Sequence, residues 1–374
     1  MRIAMVQDDW WPTTGGGPVH TKELSIALAE TFDHEVDIFT RALEKDGESY
    51  TDTERYADGR VRVNRLRPAT EYWNTVGRLS SLATPVPKLL RGDYDVIHGH
   101  TFLPAVPTQL GGRLSGTPAV FTVHGTALST GVGKDTSRLT GIKRRLEHKF
   151  ILGFDYDHVI SVNRHHLDLL EEYHESLSCI PNGVDIERFD RDRERNRDIL
   201  FLGRLDPKKR VSDLIEAFGL IAEEYPDTRL VIVGTGSLDD ELEEQARATA
   251  ASDRIVFEGR VPDEAIPEYY ASSELFVLPS VWEGHPLTLL EAWASGIPVI
   301  TTEVEGIQEF VDHEENGYLV PPESPPDLAD ALRVSLDDPE SAREWAREAR
   351  ELVRSEYSWE AAARRTDEVY RNIT

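Results

Sequence analysis

The stretch that decides the fold is 275–300, LFVLPSVWEGHPLTLLEAWASGIPVI. The apolar run from Leu275, ended by Pro279 and Ser280, reads as a strand buried on both faces. A tight turn follows, built on Gly284 and Pro286. From Leu287 to 295 the spacing predicts a helix, with Leu290 and Ala294 turned inward. A second strand is expected over 298–301. Strand, turn, helix and strand make a βαβ unit, so the sheet should be parallel. Glu283 then stands in the loop at the strand's carboxyl end, and Glu291 about one turn into the helix.

The rest of the chain repeats the scheme. Strands are expected at 3–7, 35–40, 61–65, 96–98, 119–123 and 158–162, with a helix over 20–31. The second half restarts with strands at 199–203, 229–233, 254–258, 275–279, 298–301 and 318–320. Helices are expected at 211–224, 239–250, 287–295, 326–337, 341–355 and 358–371. Between the halves, 186–198 (IERFDRDRERNRD) is almost wholly charged and reads as a linker. The division is therefore a first domain over 1–190, a second over 191–355, and a final helix over 356–374 that crosses back to the first. Two α/β sheets in series hold ligands outside the carboxyl ends of their strands, so the two should face a central cleft.

The residues expected at those strand ends suit a sugar phosphate. Free N–H groups at the helix start near Leu287 attract a diphosphate. A carboxylate accepts two hydroxyl hydrogens at once, so Glu283 and Glu291 can hold two diols, one on a sugar ring and one on a ribose. A capping Glu283 and a surface Glu291 would give the same spacing. Arg204 and Lys209 lie five apart after the first strand of the second half, where two cations can neutralise a diphosphate; a solvated turn is the plainer reading. Gly15, Gly16 and Gly17 follow the first strand and suit a phosphate-cradling loop or a simple turn. They are not a dinucleotide fingerprint, because His20 stands where its third glycine belongs. His124 closes the strand 119–123, and His98 and His100 close the one before it.

These segments resemble retaining glycosyltransferase family 4, fold type GT-B. Glu283, seven residues, Glu291, then Gly-x-Pro-Val-Ile looks like its signature. So, in order, do TGGGPVHTKELSIALAE, HEVDIFT, DVIHGH, FTVHGT, CIPNGVDIERF, FLGRLDPKKRVSDLIEAF, LVIVGTGSLDDELEEQA, VFEGRVPDEAIPEYYASSELFVLPS and GIQEFVDHEENGYLVPP. The resemblance implies two Rossmann-like domains and transfer of a hexose-type sugar from a UDP-sugar to a hydroxyl acceptor, lipid-linked or glycan, with retention and without a metal or other cofactor. It implies a catalytic set of His124, Glu283, Arg204 and Lys209. It places Gly16, Gly17, Gly203, Gly234, Arg260, Val261, Gly284, His285, Pro286, Leu287 and Glu291 around the donor. His98 and His100 are candidates to face the acceptor. His285 and Trp293 depart from the family's usual residues, and His285 leaves the sugar's identity open. A non-catalytic or regulatory nucleotide-sugar-binding protein would share the fold.

Composition bounds the partners. The net charge of −27 argues against nucleic-acid binding. So acidic a chain, with only eight lysines, resembles proteins of high-salt cytoplasm. A single cysteine, Cys179, excludes an intrachain disulfide, and a cytoplasmic location without signal peptide or membrane span is expected. The first 190 residues carry 21 basic and 27 acidic side chains against 20 and 41 in the remainder. Residues 59–92 hold seven basic residues and one acid, and 138–149 five and one. Such stretches suit peripheral contact with an anionic membrane, or form a locally basic solvated face. Asp93-Tyr-Asp95 and Asp155-Tyr-Asp157 precede strands, at the wrong end of a sheet for a metal-bound ligand. Gly133-Lys134 lacks the rest of a P-loop.

Overall fold

The computed structural model describes every residue except 13, 14, 46, 73, 125–144, 146, 147 and 192–194. The chain forms two compact units: the described residues of 1–183 with Trp359–Thr374, and Val184–Ser358. The final helix, Trp359–Ile373, belongs to the first unit and packs on Gly16–Phe32. Residues 138–144, with 146 and 147, and Gly133-Lys134 lie outside the described residues.

The first unit is built on nine strands among the described residues: β1 Arg2–Val6, β2 Glu35–Lys45, β3 Glu48–Tyr50, β4 Glu54–Tyr56, β5 Val61–Glu71, β6 Val96–His100, β7 Ala119–Val123, β8 His158–Ser161 and β9 Leu177–Cys179. Their order is β4-β5-β2-β1-β6-β7-β8-β9, with β3 antiparallel on β2 and β4 antiparallel on β5. The other pairings are parallel. Ile3, Met5, Val36, Ile38, Val61 and Val63 are fully buried between the covering layers. Strands β3, β4 and β9 were not expected. Each has three residues, too few to show a period, and ESY and ERY are polar.

The second unit holds β10 Asp198–Leu202, β11 Arg229–Val233, β12 Ile255–Gly259, β13 Leu275–Leu278, β14 Val299–Thr302 and β15 Tyr318–Val320. All are parallel, in the order β12-β11-β10-β13-β14-β15. The middle strands are apolar runs because helices cover both faces. From β10 the chain winds outward to β12, then returns to β13 on β10's other side. That reversal opens a crevice beyond the carboxyl ends of β10 and β13.

The described residues of the charged segment expected as a linker are instead folded into the second unit. Ile186–Phe189 is a helix capped by Asp185, whose Oδ1 accepts from Arg188 N at 3.0 Å, and Phe189 is buried in the core. Arg188 donates to Asp263 O at 2.6 Å, Arg191 pairs with Glu268 at 2.9 Å, and Arg195 donates to Gly296 O at 2.7 Å. Arg188, Arg191 and Arg195 thus have partners across the unit, which composition alone does not show.

Candidate functional site

The carboxyl ends of β10 and β13 bring Lys209 and Glu283 together. Lys209 Nζ lies 2.6 Å from Glu283 Oε1, and Ser280 Oγ donates to the same oxygen at 2.6 Å. Both side chains of the ion pair are largely buried, at 13% and 8% exposure. The loops are tied further by Val281 N donating to Lys208 O at 2.9 Å. Thr302 Oγ1 donates to Ser280 O, anchoring the residue that orients Glu283. The loop also rests on Gly306, where a Cβ would stand 2.3 Å from Glu283 O, and φ is +83°.

Glycines let the neighbouring strand ends close. At Gly234, φ is +132°, and a Cβ would lie 1.9 Å from Gly203 O. Val261 is partly buried against the core, and Arg260 is exposed. Arg204 does not join the Lys209–Glu283 pair. Its guanidinium is 55% exposed and sits 3.3 Å from Asp206.

Glu291 lies in the helix Leu287–Ala294 and accepts from Tyr270 OH at 2.9 Å. Its residue is partly exposed, yet surrounding protein desolvates the carboxyl and pushes its pKa up to about 7, against the opposing Tyr270 hydrogen bond and Arg188 charge. Leu287 begins that helix after Pro286, with no side chain capping its first N–H groups. Gly284 and His285 are buried in the turn. The His285 ring packs against Phe310 at 4.6 Å and Tyr357 at 5.4 Å, an aromatic seat that the sequence alone did not suggest.

In the first unit, Gly16 opens its helix and Gly17 lies against the end of β1, where a Cβ would be 3.3 Å from Gln7 Nε2 and 3.1 Å from Thr101 Cγ2. His124 follows β7 and meets the His20 ring edge-on at 4.4 Å. His100 Nδ1 and His124 Nε2 are 3.3 Å apart. Burial holds His98, His100 and His124 well below the usual histidine range, with the crowding of one histidine on another pushing the same way. His98 has both ring nitrogens engaged, with Tyr370 OH at 2.6 Å and Thr122 Oγ1 at 2.7 Å. To touch an acceptor, the His98 ring would have to give up one of these bonds. His20 was missed: its signal was one more histidine a turn beyond the glycines. The Asp pairs set aside above do serve strand starts, with Asp95 accepting from Arg2 N and Asp157 from Ala119 N, each at 2.7 Å.

Comparison with known proteins fits this arrangement. Two family models cover nearly the whole chain, Glycosyltransferase Family 4 over residues 14–188 and Glycosyl transferases group 1 over 184–352. The chain is a GT-B glycosyltransferase of this group 1, family 4 type. It is similar to glycogen synthase of Mycobacterium tuberculosis, 29% identical over 395 residues, covering 99% of this chain and 94% of that one. An Escherichia coli UDP-Gal:alpha-D-GlcNAc-diphosphoundecaprenol alpha-1,3-galactosyltransferase is 29% identical over 286 residues, 71% of this chain and 72% of that one. Sucrose-phosphate synthase from Thermosynechococcus elongatus superposes with a TM-score of 0.83 at 25% identity, covering 100% of this chain and 98% of that one. The glycosyltransferase is accordingly an enzyme that uses nucleotide sugars.

Proposed function

We propose that this glycosyltransferase moves a hexose-type sugar from a UDP-sugar to a hydroxyl, retaining the anomeric configuration and needing no metal. The observation that carries the reading is the Lys209–Glu283 pair at the switch point between β10 and β13. Both donors to Glu283 fall on Oε1, which turns Oε2 to the hydroxyls of the transferred sugar. Lys209 has further N–H donors for the departing diphosphate, and the uncapped start of the helix at Leu287 adds its dipole. Arg204, exposed and weakly held by Asp206, swings to the same phosphates. Glu291 takes the ribose diol. The sugar–phosphate bond breaks through an oxocarbenium-like transition state. The departing phosphate oxygen accepts the proton of the acceptor hydroxyl as that hydroxyl attacks from the same face. Protein cations and backbone dipoles then carry the charge that a metal would otherwise offset. The family resemblance gives His124 to the donor sugar.

For the acceptor, we favour a lipid-linked glycan at an anionic membrane. The Escherichia coli relative is named for a UDP-Gal donor and a diphosphoundecaprenol-linked acceptor. In this chain Arg60, Arg62 and Arg65 are taken up by Asp33, Glu35, Asp37 and Glu54, so they add little free positive charge. Arg67, Lys88, Arg91 and Arg113 are exposed in the same unit, along with Val76 at 69%, Leu79 at 61% and Leu114 at 65% exposure. Exposed basic and apolar side chains in one unit suit a lipid headgroup boundary. No helix among the described residues is long and apolar enough to cross a membrane.

A thermal-shift screen of UDP-, GDP- and ADP-sugars tests the donor. A micromolar ligand at millimolar concentration stabilises its target by about 4 kcal/mol. UDP-sugars should give the largest shift, in EDTA as in magnesium. A larger shift with GDP- or ADP-sugars, or one that needs magnesium, would refute the donor assignment.

A further inference from the structure

The first unit contains a histidine cluster that the transfer reaction does not explain. His20, His100 and His124 each direct one ring nitrogen so that all three lie within 4.8 Å of one another. His20 and His100 are 3% and 0% exposed. His20 Nε2 and His100 Nε2 are buried without a hydrogen-bond partner. An unmet buried ring nitrogen is costly, so His20 Nε2, turned into the cluster, calls for an occupant.

The ring orientations indicate what kind. His20 Nδ1 stands 2.8 Å from Asn182 Oδ1. An amide oxygen only accepts, so His20 carries its proton on Nδ1 and presents a lone pair at Nε2. Ligating histidines are held this way, with the far nitrogen donating to an oxygen. His100 Nδ1 and His124 Nε2 are hydrogen-bonded at 3.3 Å, about the separation that two nitrogens take on a tetrahedral ion at about 2.0–2.1 Å; for both to ligate, the ring that donates moves its proton to its other nitrogen. His98 packs on His100 at 4.1 Å and is itself pinned by Tyr370 and Thr122, so it forms a wall and not a ligand. Trp359, 5.5 Å from His20, supplies an apolar neighbour.

We infer that His20, His100 and His124 form a site for a soft divalent first-row cation such as Zn²⁺. Three neutral imidazoles with no carboxylate among them select Zn²⁺, Ni²⁺ or Cu²⁺ over Mg²⁺ or Ca²⁺. Closing the set onto one ion asks the rings to approach by roughly 1.5 Å, a side-chain adjustment. An ion there takes the His124 imidazole away from the donor sugar, so the site is inhibitory. That consequence rests on the role given to His124 above; the binding itself does not. Transfer that needs no metal and is silenced by one is self-consistent.

Tag-free, full-length protein stripped of metal should be titrated with zinc chloride by calorimetry and with cobalt(II) by visible absorption. The expected result is one cation per chain and the intense bands of four-coordinate cobalt. His20→Gln and His124→Gln should weaken zinc by at least about tenfold, and Asn182→Ala by about tenfold through the lost outer hydrogen bond. His313→Ala, on an exposed histidine, should leave the affinity unchanged. If His20→Gln fails to fold, His124→Gln decides, since its ring is partly exposed. Absence of zinc binding by the parent protein overturns the site. So does undiminished affinity in folded His124→Gln.

Discussion

At the scale of single residues, Glu283 and Glu291 do different work for different physical reasons. Glu283 is fixed by Lys209 and Ser280 before any ligand arrives, so its orientation costs nothing at the moment of reaction. Glu283→Gln should lower kcat by about 10²–10³-fold while costing roughly 1–2 kcal/mol of stability. Steady-state kinetics beside a melting curve will separate the two. Glu291 titrates near 7. Below that pH it is protonated and would offer the ribose proposed for it fewer acceptors; above it the carboxylate would accept two hydroxyls. Donor KM should therefore fall as pH rises from 6 to 8 and level off beyond. Tyr270→Phe removes the hydrogen bond that opposes the upward shift, so the fall should move to higher pH. A donor KM that is flat with pH in the parent enzyme would contradict the role of Glu291.

At the scale of elements, glycine decides how closely the strand ends approach. Gly234→Ala puts a methyl against Gly203 O at a φ that L side chains rarely adopt. It should cost about 2 kcal/mol or more, a fall of roughly 4–8 °C in Tm for a unit of this size, with weaker donor binding. Glycine-to-alanine at Gly219, which has open surroundings by comparison, should change Tm little. The strands and helices were legible because runs such as 275–278 and 230–233 are apolar throughout, as two-faced parallel strands must be. The three-residue strands β3, β4 and β9 carried no such pattern. The segment 186–198 misled for the opposite reason: its charges suggested solvent, but Arg188 and Arg195 end on backbone carbonyls of the second unit. The Glu283 loop could be placed from sequence. Its supports could not: Thr302 and Gly306 are distant in sequence, and Ser280, though only three residues away, is an ordinary loop serine until its hydroxyl is seen on Glu283. The same holds for His20, whose meaning appears only beside His100 and His124.

At the scale of the whole molecule, charge and exposed apolar surface set the environment. A net −27 repels itself in dilute buffer. Raising salt from about 0.1 M to about 1 M shortens the Debye length from about 10 to about 3 Å, so Tm should rise over that range; an unchanged Tm would argue that the repulsion is unimportant. Membrane contact should then rest mainly on apolar insertion. Leu79→Asp with Leu114→Asp should abolish flotation with anionic vesicles, and Lys88→Glu with Arg91→Glu should abolish it only at low salt. Failure of the parent protein to float under either condition would remove the membrane from the account. The central claim is retaining, metal-free transfer from a nucleotide sugar at the Lys209–Glu283 site. Proton NMR of the first-formed sugar product from a UDP-sugar in excess EDTA tests it most directly. The account predicts the donor's own anomeric configuration, with turnover nearly lost in Glu283→Gln. Formation of the opposite anomer, or turnover that returns only when magnesium is restored, would contradict it.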